Sequence, residues 1–329
     1  MLRKSMILVI ALLVANLMVI QAQTNDEGIK VPGASLTEKL TWLQKSADSH
    51  NTYIVEVNAN ENIAPTRLYY EGAINITVIL RGNGANRTIR LSKNGDMFKV
   101  EEQVTFILEN NITLQGHNGN TGTMVWVNGG TFKMNSGTAI IGNKRTNYWG
   151  GGVCLDSGTF EMTGGTISGN SSPEDGGGVG VNSIFTMSGG TISGNTSGGN
   201  GGGVTVHSGS FTMTGGTISG NTAKQGGGVY VKSSWSRDGS FTMRGGTITG
   251  NTAREAGAGV LAQGLFKKTG GTITGYNSDS VNGNVVRDED GDVLARKGHA
   301  AFVRADRRKE TTAGPEVNMD KDTAAGWDQ

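Results

Sequence analysis

The side chains that could do chemistry are few in this chain and lie mostly apart. The densest acidic run, Asp288–Asp292, has the composition of a calcium loop, but an EF-hand loop carries its Gly at the sixth position. Here Gly291 is fourth in the run. We therefore predict a tight acidic turn at this point, and we predict no metal site elsewhere.

Paired carboxylates are the second signature to look for, because most polysaccharide hydrolases use two of them at the bond they cleave. Glu174 and Asp175 are adjacent in the sequence, but no third partner accompanies them. The sequence thus predicts no catalytic residue and no cofactor. One alternative stays open, in which the chain is a carbohydrate-active lyase or hydrolase.

Two segments carry aromatic side chains that could bind a partner. Tyr148 and Trp149 are neighbours in one segment, and Trp235 lies with Arg237 in the insert 232–240. Exposed aromatic rings suit stacking on sugars or on protein surfaces. We take these four residues as candidate binding residues, with folding of the rings over the protein's own edges as the alternative.

Composition limits the classes of partner. The chain has 329 residues, a formal net charge of +1 and 54 glycines. No block of like charge points to nucleic acid. The partners we expect are therefore glycans or proteins of a host or cell surface.

These residues are embedded in a repeat. The copy at 185–206 reads Phe-Thr-Met-Ser-Gly-Gly-Thr-Ile-Ser-Gly-Asn, then a variable stretch, then Gly-Gly-Gly-Val-Thr-Val. A period of this size with fixed apolar positions predicts stacked coils. The first Phe recurs in steps of 28, 25, 26, 30 and 25 residues, at Phe132, Phe160, Phe185, Phe211, Phe241 and Phe266.

Each copy contains three short runs that alternate in polarity: Phe-x-Met, Thr-Ile-Ser or Thr-Ile-Thr, and Val-x-Val. Alternation with a period of two is the strand signal. Glycine between the runs supplies the left-handed conformations that tight corners need. The predicted fold class is therefore all-β: a parallel β-helix with three strands in each coil of about 25–30 residues.

Stacking at about 4.8 Å per coil places equivalent residues next to one another. Lys133 should then form a surface ion pair with Glu161, whereas His207 should lie two coils from Asp156, too far for a hydrogen bond. The Asn that closes the second run should form a ladder that satisfies backbone groups at the corner. The predicted ladder consists of Asn143, Asn170, Asn195, Asn221 and Asn251.

Cys154 is the single cysteine, so an intramolecular disulfide is excluded. It lies between Val153 and Leu155, which the repeat places inside. Alternation therefore directs the thiol outward, as a passive surface group or, alternatively, as one half of an intermolecular bridge.

The N-terminus has the pattern of a secretory signal over residues 1–22. Arg3 and Lys4 precede the uncharged run Met6–Ile20, which is typical of a signal peptide. We therefore expect an exported protein that is periplasmic, surface-bound or extracellular. The run is shorter than a spanning helix requires, so no stable membrane span is expected after cleavage.

The remaining boundaries follow from the same patterns. Residues 23–52 should hold a lead segment and a short helix, which the capping box Ser35-x-x-Glu38 begins and which covers the open end of the β-helix. The predicted units that follow are the β-helix at 53–275, with regular repeats at about 130–275, C-terminal cap strands at 276–304, and a flexible tail at 305–329. Two or three cap strands are expected, among the segments 285–286, 293–294 and 301–303.

The repeat also resembles a known family. The unit from Gly158 to Asn170, with the Gly-Gly-Gly-Val at 176–179, resembles the Gly-rich repeats of bacterial surface proteins in the right-handed parallel β-helix (pectin lyase-like) superfamily. It is distantly similar to chlamydial polymorphic outer-membrane protein repeats, although Phe-x-Met departs from their Phe-x-x-Asn.

This resemblance covers roughly residues 70–275 and carries no catalytic residue with it. It implies a right-handed coil and a secreted or surface role, adhesive or unknown. Together with the residues themselves, it leads us to expect an exported, non-catalytic, adhesin-like or structural binding scaffold.

Overall fold

The protein is a parallel β-solenoid of about nine turns, which confirms the predicted fold class. The computed structural model describes residues 28–235, 237–295, 297–303 and 308–310. The predicted signal peptide and most of the predicted tail lie outside these described residues. The described part contains one helix, α1 (Leu36–Ser46).

Thirty-two strands form the rest of the described fold. In chain order they are β1 (Ile29–Lys30), β2 (Thr52–Val57), β3 (Glu61–Ile63), β4 (Thr66–Leu68), β5 (Ile76–Gly82), β6 (Arg87–Leu91), β7 (Phe98–Glu101), β8 (Val104–Leu108), β9 (Ile112–Gln115), β10 (Asn118–Asn120), β11 (Val125–Met134), β12 (Thr138–Ile141), β13 (Lys144–Arg145), β14 (Val153–Met162), β15 (Thr166–Ser168), β16 (Ser171–Ser172), β17 (Val179–Val181), β18 (Ile184–Met187), β19 (Thr191–Ser193), β20 (Thr196–Ser197), β21 (Val204–Val206), β22 (Ser210–Met213), β23 (Thr217–Ser219), β24 (Thr222–Gln225), β25 (Val229–Val231), β26 (Ser240–Thr249), β27 (Thr252–Ala256), β28 (Val260–Ala262), β29 (Leu265–Ile273), β30 (Val285–Val286), β31 (Ala301–Val303) and β32 (Arg308–Glu310).

The strands stack into four faces, which we call A to D. Face A runs β4-β7-β11-β14-β17-β21-β25-β28-β31 and contains the Val-x-Val runs. Face B runs from β1 to β32 and contains the Phe-x-Met runs. Face C runs from β3 to β29 and contains the Thr-Ile-Ser and Thr-Ile-Thr runs.

Face D was not predicted. Seven short strands, β10-β13-β16-β20-β24-β27-β30, form a separate parallel sheet, so a regular coil has four strands and not three. Several of these strands are two residues long and polar, such as Thr196–Ser197. Alternation could not reveal them, because two residues do not establish a period.

Identical side chains stack inside the solenoid. From Phe160 through Phe185 and Phe211 to Phe241, successive ring centroids lie 4.6–4.7 Å apart with interplanar angles of 5–8°. The stack also takes in Phe106 at its N-terminal end, 5.8 Å from the next ring. Offset stacking of this kind adds to the free energy that each buried ring already contributes through the hydrophobic effect.

The predicted asparagine ladder is confirmed and is longer than expected, because Asn120 and Asn284 extend its two ends. Asn195 shows the pattern: its Oδ1 accepts from the backbone N–H of Asn170 at 3.0 Å. Its Nδ2 donates to the carbonyl of Ile167 at 2.9 Å. Each side chain thus satisfies corner groups that the bend removes from the strand ladder.

A glycine precedes each ladder residue of the regular coils for a steric reason. Gly169, Gly194, Gly220 and Gly250 have φ between 62° and 64°, in the left-handed region that a side chain disfavours. The Gly-Asn pair is therefore a single structural unit in which Gly turns the chain and Asn binds the turned backbone.

The N-terminal end is covered as predicted. In α1 the Glu38 N–H donates to Ser35 Oγ at 3.2 Å, and the Ser35 N–H donates to the Glu38 carboxylate. Leu36, Leu40 and Leu43 are buried against the first coils. The helix thereby shields apolar side chains and a sheet end that would otherwise face solvent.

The C-terminal strands β30 and β31 are present at their predicted positions and pair in parallel with β27 and β28. The expected strand at 293–294 is wrong, because Val293 makes only one antiparallel bridge, to Arg287. That bridge closes the acidic turn, in which the Asp292 N–H donates to Asp288 Oδ1 at 2.8 Å.

The ladder makes a quantitative prediction. Replacing Asn195→Leu keeps the side-chain volume but leaves the Asn170 N–H and the Ile167 carbonyl without partners inside a buried corner. We expect a loss of about 2–5 kcal/mol in the free energy of unfolding, measured by urea denaturation. Asn182→Leu, on the polar surface row, should change it by less than about 0.5 kcal/mol. Equal effects of the two substitutions would contradict a structural role for the ladder.

Candidate functional site

The four candidate binding residues do not share one environment. Tyr148 is 51% exposed, Trp235 is fully exposed and Arg237 is exposed. Trp149 is only 6% exposed, so the expectation of an exposed ring at this position is wrong. Its ring folds over the outside of the solenoid, which was the alternative.

Face A carries the most varied outward row of the solenoid. We call it the outer row, and it holds the middle residue of each Val-x-Val run and its equivalents. The strand register aligns Arg67, Lys99, Trp126, Cys154, Gly180, Thr205, Tyr230, Leu261 and Phe302 along it. Cationic, aromatic and small side chains thus lie one coil apart in a straight line.

Trp149 is seated in a gap in this row. Gly180 has no side chain there, and a Cβ added to it would lie 2.0 Å from Cε3 of the Trp149 ring. Gly180 is not in a left-handed conformation, so the close approach of Trp149 is the reason that a glycine fits. The ring centroid of Trp149 also lies 4.9 Å from that of His207.

The same corner covers Cys154. Alternation does direct this residue to the outside of the strand, but the thiol is 1% exposed because the segment leading to Gly150 crosses it. The prediction of a surface thiol is therefore wrong, and so is the alternative of an accessible bridge partner. Burial raises the pKa of the Cys154 thiol to about 12, so the group is protonated and unreactive at neutral pH.

Tyr148 is held in a strained conformation. Its φ is 64°, which is uncommon for a bulky residue. Arg145 stabilises the corner, since its Nη1 donates to the carbonyl of Trp149 at 2.7 Å and its guanidinium lies 5.5 Å from the Tyr148 ring centroid. Strained backbones of this kind concentrate at functional positions, and here the strain keeps the Tyr148 ring in solvent while Trp149 is buried.

His207 has a carboxylate neighbour that sequence reasoning missed. Its Nε2 lies 3.9 Å from Asp175 Oδ2, which is beyond hydrogen-bond distance but close enough for electrostatic attraction. The Oδ1 atom of Asp175 also accepts hydrogen bonds from the backbone and side chain of Asn200. The sequence could not show this contact, because it depends on the path of the corner that brings Asp175 over face A.

Burial holds the pKa of His207 below its usual value, Lys232 lowers it further, and Asp175 opposes both. The imidazole is therefore neutral at pH 7. In this form it packs against Trp149 at a small cost in desolvation.

The N-terminal part of the outer row is organised by one buried carboxylate. Glu101 is 5% exposed and binds Arg67 at 2.6 Å, Lys99 at 3.3 Å and Asn128 at 2.6 Å. Burial raises the pKa of Glu101, but the hydrogen bonds from these three donors lower it by more, so the pKa lies below its usual value. The ionised carboxylate fixes Lys99, whose Nζ lies 4.9 Å from the Trp126 ring centroid.

The second candidate segment is the loop between β25 and β26. Within it, Asp238 Oδ1 accepts from Ser233 Oγ at 2.9 Å and from the Ser234 N–H at 3.1 Å. This loop begins where strand β25 of face A ends. The corner with Tyr148 lies just before strand β14 of the same face, three coils earlier. Both segments therefore border face A, although they lie on different corners as predicted.

A cleft lies on face D. It has a volume of about 410 Å³, and strands β20, β24 and β27 with the acidic turn line it. Lys224 and Glu255 form an ion pair of 3.1 Å there. The other charged residues of the lining are Arg254, Asp288 and Glu289.

Comparison with known proteins adds no identification: the sequence matches no protein-family model, no curated protein and no solved structure. Within the described residues, no cluster of three or more His, Cys, Asp or Glu side chains could hold a metal ion. The described part of the chain also contains no helix of the length and apolarity needed to cross a membrane.

Seating of Trp149 over Gly180 can be tested through the buried thiol. Gly180→Val should displace the Trp149 ring and open the corner, because the space for a side chain is already filled. We expect Cys154 to react with a thiol reagent at least about tenfold faster than in the parent protein. Thr186→Val, on an outward position of face B, is the control and should leave the rate unchanged. Unchanged labelling in the Gly180 variant, with unchanged circular dichroism, would show that the corner does not depend on this contact.

The packing of neutral His207 predicts a pH effect. The folded state disfavours the charged imidazole, whereas an unfolded histidine gains its proton near pH 6.5. The stability that depends on His207 is thus present above about pH 6.5 and lost as the pH falls below it. His207→Gln should reduce the difference in unfolding free energy between pH 7.5 and pH 5.5, measured by urea denaturation. His117→Gln should keep the parent difference, and an equal difference in all three proteins would exclude His207 as its source.

Proposed function

We propose that this protein is an exported, non-catalytic β-solenoid that acts as an adhesin-like binding scaffold, with face A as its binding surface and glycans as its partner class. The observation that carries the proposal is the outer row, where Lys99 and Trp126 lead to the corner that exposes Tyr148. Along it, Lys99 Nζ lies 4.9 Å from the Trp126 ring centroid, and the Arg145 guanidinium lies 5.5 Å from the Tyr148 ring centroid.

The chemistry of this surface suits sugars. The face of a pyranose ring is apolar and its edge is polar, so it stacks on aromatic rings and receives hydrogen bonds from neighbouring cations. Tyr148 offers a half-exposed ring, and Lys99 and Arg67 offer donors that Glu101 holds in place. A site prepared in this way loses little conformational freedom on binding.

The architecture supports a scaffold role. Inter-coil hydrogen bonds hold face A along its whole length, so a long ligand can contact several coils at once. Linked weak contacts of this kind raise the total affinity without any single deep pocket. This is the arrangement expected of a protein that adheres to an extended polymer.

Export and family membership are parts of the same proposal. The signal pattern over residues 1–22 supports placement in the periplasm, at the cell surface or outside the cell. The repeat resemblance supports a relation to the right-handed, pectin lyase-like β-helix proteins of bacterial surfaces. N-terminal sequencing of the exported protein would test the cleavage near Gln23.

A glycan array tests the binding proposal directly. Tyr148→Asn removes the ring but keeps a residue that tolerates the left-handed conformation, and Trp126→Phe shortens the second aromatic platform. We expect Tyr148→Asn to weaken binding of the best array ligand by about tenfold, as loss of one stacking contact implies. Trp235→Ala is the matched aromatic control away from the outer row and should bind like the parent. Glycan binding that survives both Tyr148→Asn and Trp126→Phe would place the binding surface elsewhere.

The cleft on face D favours a second candidate function, a carbohydrate-active enzyme. Glu255 and Glu289 both line it, and a carboxylate pair is the equipment that glycoside hydrolysis uses. The assay is release of reducing ends or of unsaturated products from plant and host polysaccharides, with and without calcium. Activity that Glu255→Gln and Glu289→Gln abolish, while Asp175→Asn does not, would replace the scaffold proposal with an enzyme.

A further inference from the structure

Trp235 is the most exposed large apolar side chain of the described structure, with a relative accessibility of 109%. An indole ring fully in water forgoes the free energy that burial of such a ring supplies. Nearly all other large apolar side chains of the regular coils are buried. A ring that projects in this way points to a partner that covers it.

The loop that presents Trp235 is held by its own hydrogen bonds. The Arg237 N–H donates to Ser234 Oγ at 3.1 Å, and Ser234 Oγ donates to the Arg237 carbonyl at 2.8 Å. The Gly239 N–H closes the base of the loop on the Lys232 carbonyl at 2.9 Å. These bonds hold Ser234, Arg237 and the base of the loop, and the Trp235 side chain extends into solvent.

Exposed cations lie in the loop and on the face B strands that follow it. Lys232 and Arg237 belong to the loop, and Arg244 and Lys267 are exposed on the outward side of β26 and β29. We call Trp235 with these four cations the basic tip. The one carboxylate in the loop, Asp238, is engaged by Ser233 and Ser234.

The four cations of the basic tip can be compared with cations that have carboxylate partners. Several outward cations on other parts of the surface meet carboxylates of neighbouring coils, as in Arg81 with Glu56, Lys133 with Glu161 and Lys224 with Glu255. Among the residues that the structure describes, none of the four cations of the basic tip forms an ion pair. The loop and the strands beside it therefore carry four exposed cations and one carboxylate next to an exposed apolar ring.

We propose that the basic tip docks this solenoid peripherally on an anionic lipid surface. Tryptophan rings favour the headgroup level of a bilayer, where the apolar body leaves water and the indole N–H keeps a polar partner. Lysine and arginine side chains near the surface are attracted by anionic headgroups. A sugar-binding tryptophan is more useful as one wall of a groove, whereas Trp235 projects alone.

This assignment is independent of the glycan proposal, because it uses a different loop and different residues. It supplies a mode of surface attachment that needs no spanning segment. The two activities can also coexist, since lipid would meet the loop while the middle of face A stays open.

Vesicle co-sedimentation tests the assignment. The protein is purified as processed by an exporting bacterial host, with its N-terminus read by mass spectrometry, and mixed with two kinds of vesicle. One kind is phosphatidylcholine alone, and the other is an equal mixture of phosphatidylcholine and phosphatidylglycerol. We expect sedimentation with the mixed vesicles only, and a decrease in binding when salt is raised.

Three substitutions locate the contact. Trp235→Ala should weaken binding to mixed vesicles by about tenfold or more, the equivalent of burying one large apolar side chain. Lys267→Ala should weaken it about fivefold. The controls are Tyr148→Asn for the aromatic residue and Lys133→Ala for the cation, and both should sediment like the parent.

Three results would overturn the assignment. The first is equal sedimentation with both kinds of vesicle, which would point to the N-terminal apolar segment. The second is binding that Trp235→Ala and Lys267→Ala leave unchanged. The third is retention on an acidic polysaccharide column without any vesicle binding, which would make the tip a contact for anionic glycans.

Discussion

Parallel hydrogen bonding between successive coils, in a register that aligns the Phe, Ile and Val positions of the regular repeats, is the constraint on which this structure depends. Each coil has too few apolar side chains to offset its own loss of conformational entropy. Only a neighbour in register supplies the missing hydrogen bonds and side-chain contacts. The asparagine ladder maintains that register at the corner, because each side chain binds two backbone groups of the preceding coil and the asparagine side chain of the next one. Identical residues at identical positions are a consequence, since only they stack without gaps.

The same constraint separates architecture from binding. Residues that face inward, or that turn the corners, have partners in every coil and cannot vary without loss of packing. Outward positions and corner insertions have no such partners in every coil, so their residues can vary without loss of packing. Tyr148 and Trp235 lie in two such insertions, and the structure uses them in opposite ways. One corner folds back so that Trp149 fills the gap over Gly180, whereas the other stands away from the coil and leaves its indole in solvent.

Corners that fold back over the strands limited the prediction of the site from sequence. Alternation correctly directs Cys154 to the outside of its strand, but it contains no information about a corner that later crosses that strand. His207 was compared with Asp156 in its own row, while its actual neighbour, Asp175, reaches it from a corner. The two cations of the outer row and its tryptophan were missed for a related reason, because Arg67, Lys99 and Trp126 precede the regular repeats, where the repeat gives no alignment.

The amino-acid sequence by itself determined the class of fold, the inward rows, the asparagine ladder and the capping helix. These features depend on local periods and on neighbours at one fixed repeat distance, and both can be counted along the chain. The tertiary structure alone decided that coils have a fourth face, that Trp149 is buried and Tyr148 is exposed, and that Glu101 gathers three donors. Those outcomes depend on how the irregular corners cross the faces. Hydrogen bonds and the space available for side chains determine that path, and the sequence pattern does not distinguish between the possible conformations.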